Sequence, residues 1–221
     1  MRRLLVLRPE PGASATVERA RKRGLDAFAV PLFTIEPLPW DPPDSGAFDG
    51  LLLTSANAVR CTGGKLDEFR GLPVYAVGEA TAQATRQAGL SVAAVGEADV
   101  ESLLRSIEPN LKLLHLCGED RRAPVESAQD ITRVPVYRAK PVASPELDEA
   151  AGAVALIHSP RAGRRFAELV RDRGSIVIAA ISAAAAEAAG DGWAAVEFAA
   201  APSDDALLAL AARLCNKPDP E

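Results

Sequence analysis

Two strand-to-helix junctions carry the side chains best suited to chemistry. Leu51-Leu52-Leu53 stops at Thr54-Ser55, and a helical pattern begins at Ala56. A strand running straight into a helix leaves free backbone N–H groups beside the two hydroxyls. That arrangement suits a carboxylate or a phosphate, and a plain helix cap satisfies the same pattern. The junction recurs as Ala155-Leu156-Ile157-His158-Ser159-Pro160, with Ser159 104 residues after Ser55. Three further pairs keep that offset: Val30–Phe33 with Val134–Tyr137, Val74–Gly78 with Ile178–Ser182, and Glu101–Leu104 with Asp205–Leu208. Ungapped matches at one domain-sized offset indicate an internal duplication, giving two similar α/β units.

The elements that position these residues follow from periodicity and punctuation. Strands are predicted at Leu4–Leu7, Ala27–Phe33, Leu51–Thr54, Pro73–Gly78 and Val92–Val95, then at Lys112–Cys117, Val134–Tyr137, Val154–His158, Ile176–Ile181 and Ala195–Phe198. Ser14 is the expected cap of a first helix ending at Gly24, and Ser203 of a last helix over Asp204–Cys215. Arg164–Asp172 and Ala183–Ala189 are the other helices predicted late in the chain. Residues 35–43 hold four prolines and residues 138–145 hold Pro141 and Pro145, so both read as extended linkers. The alternation of strands and helices predicts two flavodoxin-like parallel sheets flanked by helices. Two linkers at equivalent places mean two crossings, one domain continuous and the other made from both chain ends. Ligands then belong in a cleft between domains, near the carboxyl ends of strands. The residues expected there are Arg8, Thr54-Ser55, Gly78, the polar turn Gly118 to Arg122, His158-Ser159 and Ser182.

Composition narrows the chemistry. The chain has 221 residues, 48% of them hydrophobic, and a net charge of −5, which argues against nucleic acid as a partner. The apolar run near Met1 is too short for a signal peptide, and no run is long enough to span a bilayer. Cys61, Cys117 and Cys215 are widely spaced and read as free thiols in a reducing cytoplasm. With His115 and His158 the only histidines, no metal site is expected. His115, within Leu113-Leu114-His115-Leu116, reads as a strand residue. There is no phosphate-binding glycine loop and no motif pairing a nucleophile with a base. Hydroxyls, backbone N–H groups, a few arginines and Tyr137 remain, a set suited to a polyanionic organic ligand. On the residues alone, Tyr137 reads first as a core or boundary aromatic.

The motifs Thr-Ser-x-x-Ala-Val at residues 54–59 and Val-Gly-x-x-Thr-Ala at 77–82, with VPVY at 134–137, resemble the uroporphyrinogen-III synthase family. The second pair, Ser159 and Ser182, keeps the 23-residue spacing of Ser55 and Gly78. The likeness runs in order over nearly the whole chain. It implies a HemD-like fold with domain 1 at residues 1–37 plus 141–221 and domain 2 at 38–140, linked near 36–43 and 138–145. The implied activity is cyclisation of hydroxymethylbilane to uroporphyrinogen III, with loss of water, inversion of ring D and no cofactor or metal. Tyr137 is the implied proton donor. Thr54, Ser55, Ala56, Gly78, Thr81, Ser159 and Ser182 are the implied substrate contacts, with Arg8 and Arg121 as additions. A cytoplasmic monomer is implied, with no membrane partner and a transient contact with the preceding pathway enzyme. The second copy departs from the pattern. Ser182 stands where the first copy has Gly78, Ala185 where it has Thr81, and His158 where it has Thr54. The other readings open at this point are a non-catalytic tetrapyrrole- or polycarboxylate-binding protein and a nucleotide- or sugar-binding receptor.

Overall fold

A computed structural model describes residues 1–96, 99–120 and 127–216. Arg121 and Arg122 lie outside the described residues. In chain order the elements are β1 (Leu4–Val6), α1 (Gly12–Lys22), β2 (Ala27–Ala29), β3 (Phe33–Pro37), β4 (Gly50–Leu53), α2 (Ala56–Cys61), β5 (Val74–Val77), α3 (Glu79–Gln87), β6 (Val92–Gly96) and α4 (Val100–Ser106). There follow β7 (Lys112–Gly118), β8 (Asp130–Pro141), β9 (Val154–Ile157), α5 (Pro160–Leu169), β10 (Val177–Ala180), α6 (Ala183–Ala189), β11 (Ala195–Phe198) and α7 (Asp204–Cys215). The chain divides into two compact units, residues 1–34 with 141–221 and residues 35–140.

The first unit holds a five-stranded sheet in the order β11-β10-β9-β1-β2, with every neighbouring pair parallel. Chain order reverses between β1 and β9, the flavodoxin-like switch point where ligands bind in open sheets. Leu4, Val6, Val154, Leu156, Val177 and Ala179 pack on one face against α1 and α7. The alternate residues Leu5, Ala155, Ile157, Ile178 and Ala180 are fully buried as well. Burial on both faces is why these strands are continuous apolar runs rather than alternating ones. The stripe Leu207, Leu208, Leu210 and Leu214 on α7 is buried, and Ser203 caps that helix through Ala206 N–H.

The second unit holds the order β3-β8-β7-β4-β5-β6, parallel from β8 to β6. Leu51, Leu53, Leu114 and Leu116 face one cluster with Val59, Phe69 and Ala84. Leu52 and Leu113 face another with Leu103 and Leu104 of α4. The switch point here lies between β4 and β7.

The strand registers match between the units. Leu4 pairs Ala27 and Val154 in the first. Leu113 pairs Ile131 and Gly50 in the second. Ala27 and Ile131, like Gly50 and Val154, are 104 residues apart. Each sequence repeat is nevertheless split. The first copy gives β1 and β2 to one unit and β4 to β6 to the other. The second copy gives β7 and β8 to the unit that holds β4 to β6, and β9 to β11 to the unit that holds β1 and β2.

Four local expectations need correction. Ala27–Phe33 is not one strand. β2 stops at Ala29, Pro31 has no N–H for a ladder, and Phe33 starts β3, which joins the other sheet. The linker expected from residue 35 is therefore strand as far as Pro37, at a sheet edge where a proline costs no ladder bond. Ser14 is not a helix cap: α1 begins at Gly12, and the Glu10 carboxylate accepts from both Ser14 N–H (3.0 Å) and Ser14 Oγ (2.9 Å). The helix expected from Arg164 starts at Pro160, directly after its cap Ser159, where proline's missing N–H is harmless.

Candidate functional site

In the second unit, strand order sets three carboxyl ends in a row, Gly118 on β7, Thr54-Ser55 after β4 and Gly78 after β5, with Tyr137, inside the longer β8, opposite Gly118. Ser55 has extended backbone and caps α2, its Oγ accepting from Asn57 N–H at 3.2 Å. The cap uses the hydroxyl as acceptor only, so its O–H is still able to donate. Thr54 Oγ1 lies 3.1 Å from Nε2 of His115, whose side chain is buried in β7. Gly78 begins α3 with φ +81 and ψ 144, a region closed to side-chain-bearing residues. No side chain caps that helix. Thr81, in its first turn, is buried. Tyr137 is half-buried, packed against the cluster that holds Leu53, Leu116 and Val136.

The first unit repeats the geometry with different groups. Ser159 caps α5 through Ala162 N–H at 3.2 Å. Ser182 caps α6 through Ala185 N–H at 3.3 Å. Arg8 after β1 and His158 after β9 meet on one carboxylate, that of Asp204 at the start of α7. Arg8 donates to Asp204 Oδ1 at 3.2 Å, and His158 Nε2 lies 3.0 Å from the same oxygen. Thr16 Oγ1 (3.2 Å) and Arg19 Nε (3.1 Å) donate to the carboxylate too. Burial lowers the pKa of His158, and the Arg8 charge adds to that, against the opposing pull of Asp204. Burial works to raise Asp204, but the His158 hydrogen bond and the charges around it hold the carboxyl well below its usual range. The pair is therefore carboxylate and neutral imidazole, with Nε2–H donating.

These edges offer hydroxyls, helix N–H groups and one phenol, a set that grips carboxylates and can release one proton. The family model for uroporphyrinogen-III synthase HemD matches residues 14–209. The chain belongs to the uroporphyrinogen-III synthase family. The reaction is that of a cofactor-independent lyase of haem biosynthesis, closing hydroxymethylbilane to uroporphyrinogen III with loss of water and inversion of ring D. The uroporphyrinogen-III synthetase of Helicobacter pylori is similar in structure, with 19% identity, a TM-score of 0.67 and coverage of 97% of this chain and 100% of that one. A mutant uroporphyrinogen III synthase of Thermus thermophilus matches at 17% identity and TM-score 0.54, again over 97% and 100%. Those two likenesses bear on the fold. No curated protein matches the chain.

Sequence reasoning missed two participants and misplaced a third. His115 reads as an ordinary strand residue, and only the pairing of β4 with β7 sets it beside Thr54. Asp204 reads as the first residue of an apolar helix, and its partner Arg8 is 196 residues away. Gly118 was placed in a polar turn, whereas it is the buried last residue of β7.

Proposed function

We propose that Tyr137 protonates the departing hydroxyl of hydroxymethylbilane and that the two carboxyl edges hold the substrate's acetate and propionate groups. What supports this is the phenol's position in one row with Thr54, Ser55 and the uncapped start of α3 at Gly78. Loss of water leaves an electrophilic azafulvene at the end of the bilane. Attack from the substituted carbon of ring D gives a spiro intermediate, whose rearrangement inverts that ring. Simple closure at the unsubstituted carbon gives isomer I, so positioning decides the product. Thr54, Ser55, Ala56, Gly78, Thr81, Ser159 and Ser182 take the carboxylates by O–H and N–H donation. Arg8 contributes less, because Asp204 already engages it. Arg121 belongs to the same proposal by resemblance alone.

The test is product analysis with hydroxymethylbilane generated in situ. Isomer III should dominate, and Tyr137→Phe should lower kcat by about 10²- to 10⁴-fold, the range for a positioned general acid. Full activity in that variant would remove Tyr137 from the chemistry. We also read the protein as a cytoplasmic monomer that takes its substrate in transient contact with the preceding enzyme. Among the described residues, no helix is long and apolar enough to cross a membrane. Light scattering over a concentration series, with and without the preceding enzyme, checks the monomer and the contact.

A further inference from the structure

The two tyrosines of the chain each lie over a glycine of a neighbouring strand, for different reasons. A Cβ on Gly50 would fall 2.8 Å from Tyr75 Cε2 and 2.9 Å from the carbonyl oxygen of Pro73. Main chain closes that space, so Gly50 is required by the sheet itself. A Cβ on Gly118 would fall 2.9 Å from Tyr137 Cζ, 3.0 Å from Cε2 and 3.0 Å from the hydroxyl oxygen. All three atoms belong to the phenol. Gly118 is not in the left-handed region, so its backbone would accept a side chain. The glycine is there for the space the phenol takes.

A second observation points the same way. The ladder of β7 with β8 runs regularly to Cys117 opposite Pro135 and then shifts, so that Gly118 stands opposite Tyr137. Glu119 N–H donates to Tyr137 O at 2.9 Å and fixes the shifted register. Such irregularities re-aim a side chain, and a strand glycine marks a close approach. The corresponding residues of the first sequence copy are Pro9 and Phe33, which carry neither the missing side chain nor the hydroxyl.

We propose that Gly118 is a positioning residue for Tyr137, its missing side chain setting where the phenol hydroxyl points. This rests on the reading of Tyr137 as proton donor. A purely structural pairing, an aromatic ring covering a strand glycine, is the competing account, and stability reports on it.

The experiment is Gly118→Ala in the full chain, alone and with Tyr137→Phe. We expect kcat for isomer III to fall about 10- to 100-fold, as for a displacement near 1 Å, with KM changed by less than about threefold and isomer I rising from unassisted closure. In the Tyr137→Phe background, Gly118→Ala should add less than about twofold, because the two act through one group. The near-ultraviolet circular dichroism of Tyr137, taken as the difference from Tyr137→Phe, should change in Gly118→Ala. Wild-type kcat with an unchanged tyrosine signal overturns the proposal. So does a loss that multiplies in full with that of Tyr137→Phe, or one that tracks lost thermal stability. If Tyr137→Phe is fully active while Gly118→Ala shifts the tyrosine signal, Gly118 still places the ring and the donor reading alone falls.

Discussion

After β4 stands Thr54, 3.1 Å from His115 Nε2, and after β9 stands His158, bound to Asp204. These are equivalent places in two copies of one repeat. The neighbouring pairs diverge as well. Gly78 opens α3 with no side-chain cap, whereas Ser182 spends its Oγ on capping α6. Val59 on α2 corresponds to Gly163 on α5, and a Cβ on Gly163 would sit 2.9 Å from Ala185 O and 2.9 Å from Ala189 N. Helices α5 and α6 therefore approach more closely than a side chain at that point allows. Ala185, the counterpart of Thr81, is fully buried within that contact. In the first unit, polar groups at the carboxyl edge anchor its own helices. The second keeps hydroxyls and a bare helix start beside a phenol. The difference teaches that duplication preserved the scaffold while the polar groups at the two carboxyl edges diverged.

The comparison breaks most visibly at the helix pair. Gly163→Val imports the second unit's residue and forces α5 from α6. Urea unfolding should show a loss of about 3 kcal/mol, the upper end for overpacking against backbone. A loss under about 1 kcal/mol would mean that close approach is not what keeps position 163 free of a side chain.

Acid sharpens it next. His158 has a folded pKa below its unfolded value of about 6.5, so the unfolded chain binds the proton that the native chain refuses. Its contribution is complete above about pH 6.5 and is lost as pH falls below that. Asp204 is shifted down from about 3.9, so its contribution persists above that value and is lost only at lower pH. The loss between about pH 6.5 and 5.5, above the range in which the carboxylates take up protons, therefore belongs to His158. Thermal melts across that window should fall with acid in the natural chain. They should flatten in His158→Thr, which carries the second unit's residue while Arg8, Arg19 and Thr16 still hold Asp204. Parallel melting curves would assign the sensitivity elsewhere.

The cap gives the smallest effect. Ser182→Ala should cost about 1 kcal/mol and Ser182→Gly only a few tenths, since glycine, the residue of the other copy, is itself tolerated at a helix start. Equal losses for the two variants would show that the Ser182 Oγ bond to Ala185 carries nothing specific.

Much of this was legible because it is local. The runs at 51–53 and 154–157 announced buried parallel strands, and Ser203 with its leucine stripe announced α7. The offset of 104 residues announced the repeat, and Ser55 at a strand end announced a helix start. The start of α1 was misread because Glu10, a long carboxylate before the helix, does a serine's work. The break between β2 and β3 was missed because one apolar run serves two sheets in turn.

The sequence by itself determined the periodicities, the caps, the duplication and the family, since each depends on neighbours along the chain. Only the tertiary structure decided the pairing of Thr54 with His115, the gathering of Arg8 and His158 on Asp204, and the placing of the Tyr137 phenol over Gly118. Those contacts join residues from 19 to 196 positions apart. They follow from strand order and register, which the packing of both sheet faces fixes and no local pattern encodes.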